Sequence, residues 1–358
     1  MIRLKDVADK AGVSIWTVSK VLNPAADRAR ISLACVRKVV KAANALGYSA
    51  NYHARSLQTG RAHALGLLMG EATNVWVNPF WAHLLGGIEA EARRLGYDVV
   101  VIGPAGNQSD AERGINYIKT QRVDALIVPG HLSADFRNGR MESLDLPIVV
   151  AASRRKSRHW VVEVDPAPGV VEAVEYLASL GHKDLLWLEI DESRSPESIE
   201  RRDAFEKAAG AAKIRTRQIA FNWSAEASSL DHVIRAARSR FLPLLKKPHS
   251  FTGVVCFNEA AALGVYAAAA ELGLSIPRDL SVVGFDDLYA HVALPGMTVA
   301  SHMLPEIGAR AAELAVKLAS GTKPLSYLPE NGAENRLLRV PSKLVVRSST
   351  AKPGNQNR

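Results

Sequence analysis

Val13-Ser14-Ile15-Trp16-Thr17-Val18-Ser19-Lys20-Val21-Leu22-Asn23 reads as a short capped helix with two unlike faces. Ser14 is its N-cap, because a serine hydroxyl there accepts from a free backbone N–H two or three residues on. Val18, Val21 and Leu22 form the inward stripe, which leaves Ile15, Trp16, Thr17, Ser19 and Lys20 facing out. Upstream, Leu4, Val7, Ala8 and Ala11 fall at i, i+3, i+4 and i+7, the apolar face of a helix over residues 4–11 that Gly12 stops. Two short helices around a tight glycine-containing turn make a helix-turn-helix. A third helix starts from the N-cap Ser32, turns Val36, Val39, Val40, Ala43 and Leu46 inward, and ends at Gly47. Helices this short bury little apolar surface singly, so the three need one another.

The charge is concentrated in the same place. Residues 1–64 hold eleven Lys and Arg against three acids, a net of +8, while the remainder carries 34 basic and 33 acidic residues, a net of +1. A small basic domain on a near-neutral body is what neutralising phosphates requires, whereas a general need for solubility would spread the charge.

Leu4-Lys5-Asp6-Val7-Ala8, Ala11-Gly12-Val13-Ser14, Thr17-Val18-Ser19-Lys20-Val21-Leu22-Asn23, Leu46-Gly47-Tyr48 and Ala54-Arg55-Ser56-Leu57, in this order, resemble the DNA-binding head of the lactose repressor (LacI/GalR) family. The likeness continues through nearly the whole chain. It implies that Ile15, Trp16 and Lys20 stand at base-reading positions and that Thr17 and Ser19 contact phosphates. It also implies a hinge helix spanning Asn51, Ala54, Arg55 and Leu57 that folds on operator DNA, with Leu57 wedged into the minor groove. Trp16 departs from the small or polar residues usual at its position. An indole cannot pair bidentately with a base edge, so its contact would be an apolar one with a thymine methyl. The alternatives are that Trp16 closes the small core of the head, that Lys20 is a solvated charge, and that Leu57 packs within the hinge. The inward stripe of its helix is already complete without Trp16.

At 358 residues the chain is long enough for two or three domains, and at 47% hydrophobic and 23% charged it is globular in composition. No run of residues approaches the roughly 20 apolar positions of a membrane span. The sequence starts directly on an amphipathic helix with no signal-peptide pattern, so a cytoplasmic protein is expected. Cys35 and Cys256 lie far apart, outside any CxxC spacing, and are expected to be buried and reduced.

From residue 64 the pattern alternates between strands and helices. Strands are expected at 64–69, 99–102, 125–128 and 148–151, with helices at 80–94 and 111–120 between them. After a strand at 160–164 the alternation begins again, with helices at 169–180, 197–208, 227–245 and 259–272 and strands at 185–188, 218–221, 253–257 and 281–285. Such repeats give parallel sheets with helices on both faces. The expected fold is therefore a small all-α helix-turn-helix head joined to an α/β body of two doubly wound parallel-sheet subdomains. That body resembles the type I periplasmic-binding-protein fold. The expected divisions are a head at 1–50, a hinge and linker at 51–63, and a body at 64–347. Within the body, the N-subdomain takes 64–164 with 294–324, and the C-subdomain takes 165–293 with 325–347. By the resemblance, the strand and helix over 298–319 rejoin the first subdomain and the strands at 337–340 and 344–346 belong to the second. Residues 348–358 are expected to be disordered.

Open α/β sheets bind ligands at the carboxyl ends of their strands. There the resemblance implies an effector site comprising Phe80, Asp165, Arg201, Trp223, Asn258 and Asp286. Carboxylates and a guanidinium can bind vicinal hydroxyls, and Trp223 could lie against the apolar side of a sugar ring. The competing reading makes Trp223 a core residue and the acids helix caps or surface groups. Several positions depart from the family pattern: Asn258-Glu259 for Asn-Asp, Ala152-Ser153 for Asp-Arg, Ala204 for a Gly, and Thr298-Val299-Ala300-Ser301-His302 for Thr-Thr-Val-Arg-Gln. They surround the cleft, so no particular effector carries over.

Enzymes and exported sugar receptors share the body's fold. The sequence holds no GxSxG, HExxH, GxGxxG or GxxxxGK[ST] and no metal-ligand spacing of His and Cys, and Gly181-His182 reads as a helix stop with a structural histidine. No catalytic residue, metal or cofactor is expected. The expected partners are double-stranded operator DNA, a small-molecule effector of sugar type, and a second copy of the chain. The sequence thus points to a homodimeric DNA-binding transcription regulator, a repressor by type.

Overall fold

The computed structural model describes residues 2–22, 31–48, 56, 60–70, 78–129, 141, 144–153, 157–190, 196–221, 229–321 and 336–354. Its contacts divide the chain into two units, Met1–His63 and Ala64–Arg358.

In the first unit α1 (Leu4–Ala11), α2 (Ile15–Leu22) and α3 (Leu33–Leu46) are each bounded by polar caps. The Arg3 N–H donates to Asp6 Oδ2 at 2.7 Å, the Thr17 N–H to Ser14 Oγ at 3.1 Å, and the Cys35 N–H to Ser32 Oγ at 3.3 Å. Gly12 and Gly47 end α1 and α3 in the left-handed conformation, φ +64° and +62°, which glycine adopts without a Cβ clash. The core is Val7, Ala8, Val18, Val21, Val39, Ala42 and Ala43. Val40, expected inward, is 41% exposed. The stripe of α3 runs one position round, through Val39, Ala42 and Ala43. Cys35 is half-buried, so the expectation of two buried thiols is met by Cys256 alone, whose pKa burial pushes up.

The second unit carries two six-stranded sheets. The first, in the order β11-β5-β4-β3-β1-β2, consists of β1 (Ala64–Leu68), β2 (Asp98–Ile102), β3 (Ala125–Pro129), β4 (Ile148–Ala151), β5 (Trp160–Asp165) and β11 (Leu337–Pro341), all pairs parallel. The second, in the order β12-β10-β9-β8-β6-β7, consists of β6 (Asp184–Ile190), β7 (Arg215–Phe221), β8 (Gly253–Cys256), β9 (Ser281–Asp286), β10 (Thr298–Ser301) and β12 (Lys343–Val345), with the β10–β12 pair antiparallel and the other pairs among the described residues parallel. The near-continuous burial of β1, β3, β4 and β8 is what strands covered on both faces require.

Helices α4 (Pro79–Arg94) and α5 (Asp110–Lys119) serve the first sheet; α6 (Ala167–Ser179), α7 (Pro196–Ala211), α8 (Leu230–Leu245) and α9 (Glu259–Glu271) serve the second. Helix α10 (Leu304–Ala319) returns to the first, where Leu84, Ile88 and Ala92 of α4 share a core with Ile307, Ala311 and Leu314 of α10. The two helices touch backbone to backbone. A Cβ on Gly87 would collide with the Pro305 carbonyl, and one on Gly308 with that of Leu84.

Two assignments along the returning chain differ from expectation. Thr298–Ser301 pairs in parallel with β9 and so belongs to the second sheet, and only α10 rejoins the first. Leu337–Pro341 pairs in parallel with β5 and is an edge of the first sheet. The chain therefore passes between the subdomains at 165–167, 301–304 and 341–343. Two of these passages are tied together: the Ser342 N–H donates to Asp165 O at 2.8 Å, and the Gly169 N–H to Ser342 Oγ at 2.9 Å.

Residues 348–354, expected to be disordered, are packed instead. Ser349 is fully buried, its carbonyl accepting from the Val282 N–H at 2.9 Å and its hydroxyl from the Thr298 N–H at 2.8 Å. His182, which follows Gly181 at φ +100°, holds the same segment. Its Nε2 lies 3.0 Å from Ala351 O and its Nδ1 2.6 Å from Thr252 Oγ1. Burial lowers its pKa, keeping the ring neutral, as a structural histidine should be. Residues 355–358 lie outside the described residues.

Candidate functional site

The outward face of α2 forms as its periodicity predicts. Ile15 is 50% exposed and Trp16 63%, while Val18 between them and the core is fully buried. Trp16 therefore takes no part in the core of the head, which closes without it. Lys20, one turn on, sits with its Nζ 5.6 Å from the Trp16 ring centroid, close enough for a cation–π contact on the helix surface. Thr17 Oγ1 lies 2.9 Å from Ser14 Oγ, so two hydroxyls stand together at the helix N-terminus, where backbone N–H groups and the helix dipole favour an anion. Ser19 is half-buried on the same helix. Asn51, Ala54, Arg55 and Leu57 lie outside the described residues.

In the body, three of the expected cleft residues come together. Arg201, in α7, is only 4% exposed. Its Nη1 donates to the Phe257 carbonyl at 2.8 Å, and its guanidinium lies 3.6 Å from the Phe285 ring centroid and 4.8 Å from that of Phe257. Its Nη2 stands 3.8 Å from Asp286 Oδ1 at the end of β9. Stacking on two rings and one carbonyl bond make up part of what so buried a cation loses in leaving water.

Asp286 is positioned by an unusual backbone. It and Asp287 have φ of +110° and +76°, a conformation that costs side-chain-bearing residues on the order of 1–3 kcal/mol each. The bend is held from both sides. Asp287 pairs with Arg347 Nη2 at 2.6 Å, and the Leu288 and Tyr289 N–H groups donate to Glu259 Oε1 at 2.6 and 2.5 Å. Glu259, the first residue of α9, is 2% exposed, and its Oε2 has no hydrogen-bond partner among the described residues. Burial, then the Asp286 charge, pushes its pKa up to about 8, against the lowering effect of the two N–H donors.

Asp286 Oδ1 also lies 3.2 Å from His302 Nδ1, and Asp286 O accepts from the His302 N–H at 3.1 Å. His302 stands on the 301–304 passage. Its ring meets Phe285 edge-on at 5.7 Å between centroids and Phe80, at the start of α4, at 5.4 Å. The result is one cluster, Phe80–His302–Asp286–Arg201, joining an element of the first subdomain to helix α7 and the carboxyl end of strand β9 of the second.

The other expected cleft residues have structural partners. Asn258 caps α9, its Oδ1 accepting from the Ala261 N–H at 2.8 Å. Asp165 Oδ1 accepts from the Ala167 N–H at 3.3 Å and stands 3.4 Å from Arg339 Nη2, in a group that also holds Glu163 and Glu200. Trp223 lies outside the described residues. Glu259 and His302 join the site as well, and the sequence marks them only as departures from the family pattern. Among the described residues no group of three or more His, Cys, Asp or Glu could hold a metal ion, and no helix is long and apolar enough to cross a membrane.

Known proteins agree with this architecture. The model of the lacI family of bacterial regulatory proteins matches residues 3–51, and that of a periplasmic binding protein-like domain matches 174–350. The HTH-type transcriptional repressor PurR of Histophilus somni (strain 129Pt) is 27% identical over 355 residues, covering 98% of this chain and 99% of the relative. The HTH-type transcriptional regulator RegA of Clostridium saccharobutylicum is 29% identical over 321 residues, 88% of this chain and 92% of the relative. Among solved structures, the transcriptional regulator CelR–cellobiose complex superposes with a TM-score of 0.60 at 22% identity, covering 98% of this chain and 100% of that one. A LacI family regulator from Enterococcus faecium with bound ribose does so with a TM-score of 0.58 at 23% identity, over 81% and 99%. With a helix-turn-helix head, two parallel-sheet subdomains and full-length likeness to repressors, the chain belongs to the lacI family of bacterial regulatory proteins and is a DNA-binding transcription regulator.

Proposed function

We propose that the chain is a homodimeric cytoplasmic repressor whose affinity for operator DNA is set by a small neutral molecule, of sugar type, bound in the cleft by Phe80, Arg201 and Asp286. The single observation that carries this is the Phe80–His302–Asp286–Arg201 cluster. It draws polar groups and aromatic edges from both subdomains to one spot beside a passage between them. A ligand there touches both halves of the body, so it can favour one angle between them over another. Trp223 adds a stacking face, while Asn258 and Asp165 serve first as caps. The cellobiose and ribose of the related structures support a sugar as the ligand class. In the head, Ile15, Trp16 and Lys20 read bases, Thr17 and Ser19 hold phosphates, and Asn51, Ala54, Arg55 and Leu57 form the hinge. The reading is a regulator without catalysis, as the names of its relatives support.

The test uses the full chain. An operator is selected from a random DNA pool, and its affinity is measured with and without sugars that raise the melting temperature. A ligand at a hundred times its Kd stabilises the fold by about 2.7 kcal/mol. Coupling of about 1–3 kcal/mol then shifts DNA affinity about 5- to 150-fold in one direction. DNA affinity unmoved by every ligand that stabilises the protein defeats the proposal.

A further inference from the structure

We propose that His302 is a specificity-determining residue of this cleft: it presents a hydrogen-bond acceptor, Nε2, that selects a neutral ligand carrying a hydroxyl donor at that point. The inference rests on the reading of the cleft as the effector site and deepens it.

The contact between His302 and Asp286 sets the tautomer of the ring. Asp286 as a carboxylate can only accept, so at 3.2 Å the proton between it and His302 belongs to the imidazole Nδ1. A neutral ring with its proton on Nδ1 has a bare Nε2, and a bare ring nitrogen accepts. Among the described residues no group donates to that Nε2. Among the described residues Asp286 is engaged through Oδ1, by Arg201 and His302, which leaves its Oδ2 as a second acceptor.

The ring is also fixed in place. His302 is 8% exposed, set edge-on between Phe80 and Phe285, and its backbone N–H is tied to the Asp286 carbonyl. A prepositioned acceptor of this kind discriminates strongly. A ligand with a donor at that spot gains a bond, and one that brings an acceptor leaves two lone pairs opposed. The two ring nitrogens face opposite sides of the imidazole, so Nε2 points away from Asp286, and each acceptor takes a separate hydroxyl of a polyol. Both acceptors oppose a carboxylate or phosphate, which has only acceptors to offer. Arg201, stacked on Phe285 and bonded to Phe257, faces Asp286 Oδ1 at 3.8 Å and also supplies the counter-charge to the aspartate.

Two measurements on the full chain test this. Long-range proton–nitrogen NMR correlations, assigned with His302→Gln, report which ring nitrogen carries the proton. The Nδ1–H tautomer at pH 7.5 is expected, and an Nε2–H tautomer overturns the proposal. Calorimetry then compares ribose, glucose and cellobiose with gluconate and ribose 5-phosphate on wild type, His302→Gln, His302→Phe and Asp286→Asn. His302→Phe keeps the aromatic packing and removes the acceptor, so the neutral sugar that binds wild type best should lose about tenfold in affinity, the worth of one hydrogen bond. His302→Gln, whose amide oxygen accepts, should restore most of it. Wild-type affinity retained by His302→Phe while Asp286→Asn abolishes binding overturns the role of His302 and leaves the cleft reading intact. Binding unaffected by Asp286→Asn, or no binding of any sugar by wild type, overturns the cleft reading and this inference with it. A preference of wild type for gluconate or ribose 5-phosphate over the neutral sugars refutes the acceptor pair directly.

Discussion

The exposed face of α2 and the cleft cluster are both recognition surfaces, and they are built in opposite ways. On α2 the recognising side chains are held out in solvent, Trp16 at 63% exposure and Ile15 at 50%. In the cleft they are withdrawn, Arg201 at 4% and His302 at 8%, each bonded to protein groups before any ligand arrives. The difference follows from what each surface meets. DNA brings its own charge and its own grooves, so the head needs only a correctly shaped helix with its face left open. A small molecule brings few contacts, so the cleft must supply prepositioned groups whose rotamers are already fixed. Recognition and stability should therefore be separable in the head and inseparable in the cleft.

The largest test of that difference is Asp286→Asn. It keeps a residue that tolerates positive φ while removing the charge that faces Arg201. Breaking a buried pair from one side leaves an uncompensated cation and costs about 3 kcal/mol. At 3.8 Å the contact is long, and the carbonyl and ring partners of Arg201 remain, so the lower end of the usual range applies. Urea unfolding should show the loss, and sugar binding should fall with it. A variant as stable as wild type would make the cleft as open in design as the head.

Glu259→Gln comes next, through pH. The folded protein holds the Glu259 proton up to about 8, whereas the unfolded chain releases it near the ordinary value of 4.5. A raised folded-state pKa means that this contribution is fully present below 4.5 and is lost as pH rises through 8. The slope within that window is at most about 1.4 kcal/mol per pH unit. Wild type should thus lose stability relative to Glu259→Gln between pH 5 and 8. Parallel urea midpoints for the two proteins across that range would contradict it. His182 works in the opposite sense, since burial lowers its pKa, and comparing variant with wild type at each pH cancels its contribution.

How much of each surface the sequence disclosed follows from the same contrast. The face of α2 is local: one cap, one stripe and a period of 3.6 define it, and Trp16, Ile15 and Lys20 could be read off directly. Even there Val40 falls outside the stripe its spacing predicts, because a stripe allows steps of three or four and the packing partner chooses between them. The cleft is assembled from residues 80, 201, 285, 286 and 302, and no local pattern says that these meet. Phe80, Arg201 and Asp286 came from family likeness. His302 and Glu259 were visible only as departures, since their partners lie on other strands and loops. The strands β10 and β11 failed for a related reason. Each is a short, largely apolar run that would suit either sheet, and the neighbouring edge decides its place. Residues 348–354 read as disordered because they are small and polar. Those same groups satisfy backbone donors and acceptors along β9 and β10.

A smaller effect is expected at the caps of the head. Ser32→Ala removes the acceptor for the Cys35 N–H and should cost about 1 kcal/mol of stability, read as a lowered unfolding midpoint of the head. An unchanged midpoint would mean that solvent satisfies this N–H as well as the serine does.

The smallest stability effect, paired with a large change in recognition, belongs to Trp16. With nearly two-thirds of its surface exposed and the core of the head complete without it, Trp16→Ala should change unfolding free energy by no more than about 0.5 kcal/mol. What it should change is the operator. An indole offers a thymine methyl an apolar surface and offers base edges no bidentate pairing, so its removal should relax preference at the base pairs it covers by about 1–3 kcal/mol. Affinity for non-specific DNA should stay the same, because the net charge of +8 in the first 64 residues is untouched. Sites selected by wild type and by Trp16→Ala from one random pool decide the matter. Identical preferences, or a head that loses its fold with Trp16, would mean that this face of α2 is not held out for DNA, and the contrast with the cleft would fail where it is sharpest.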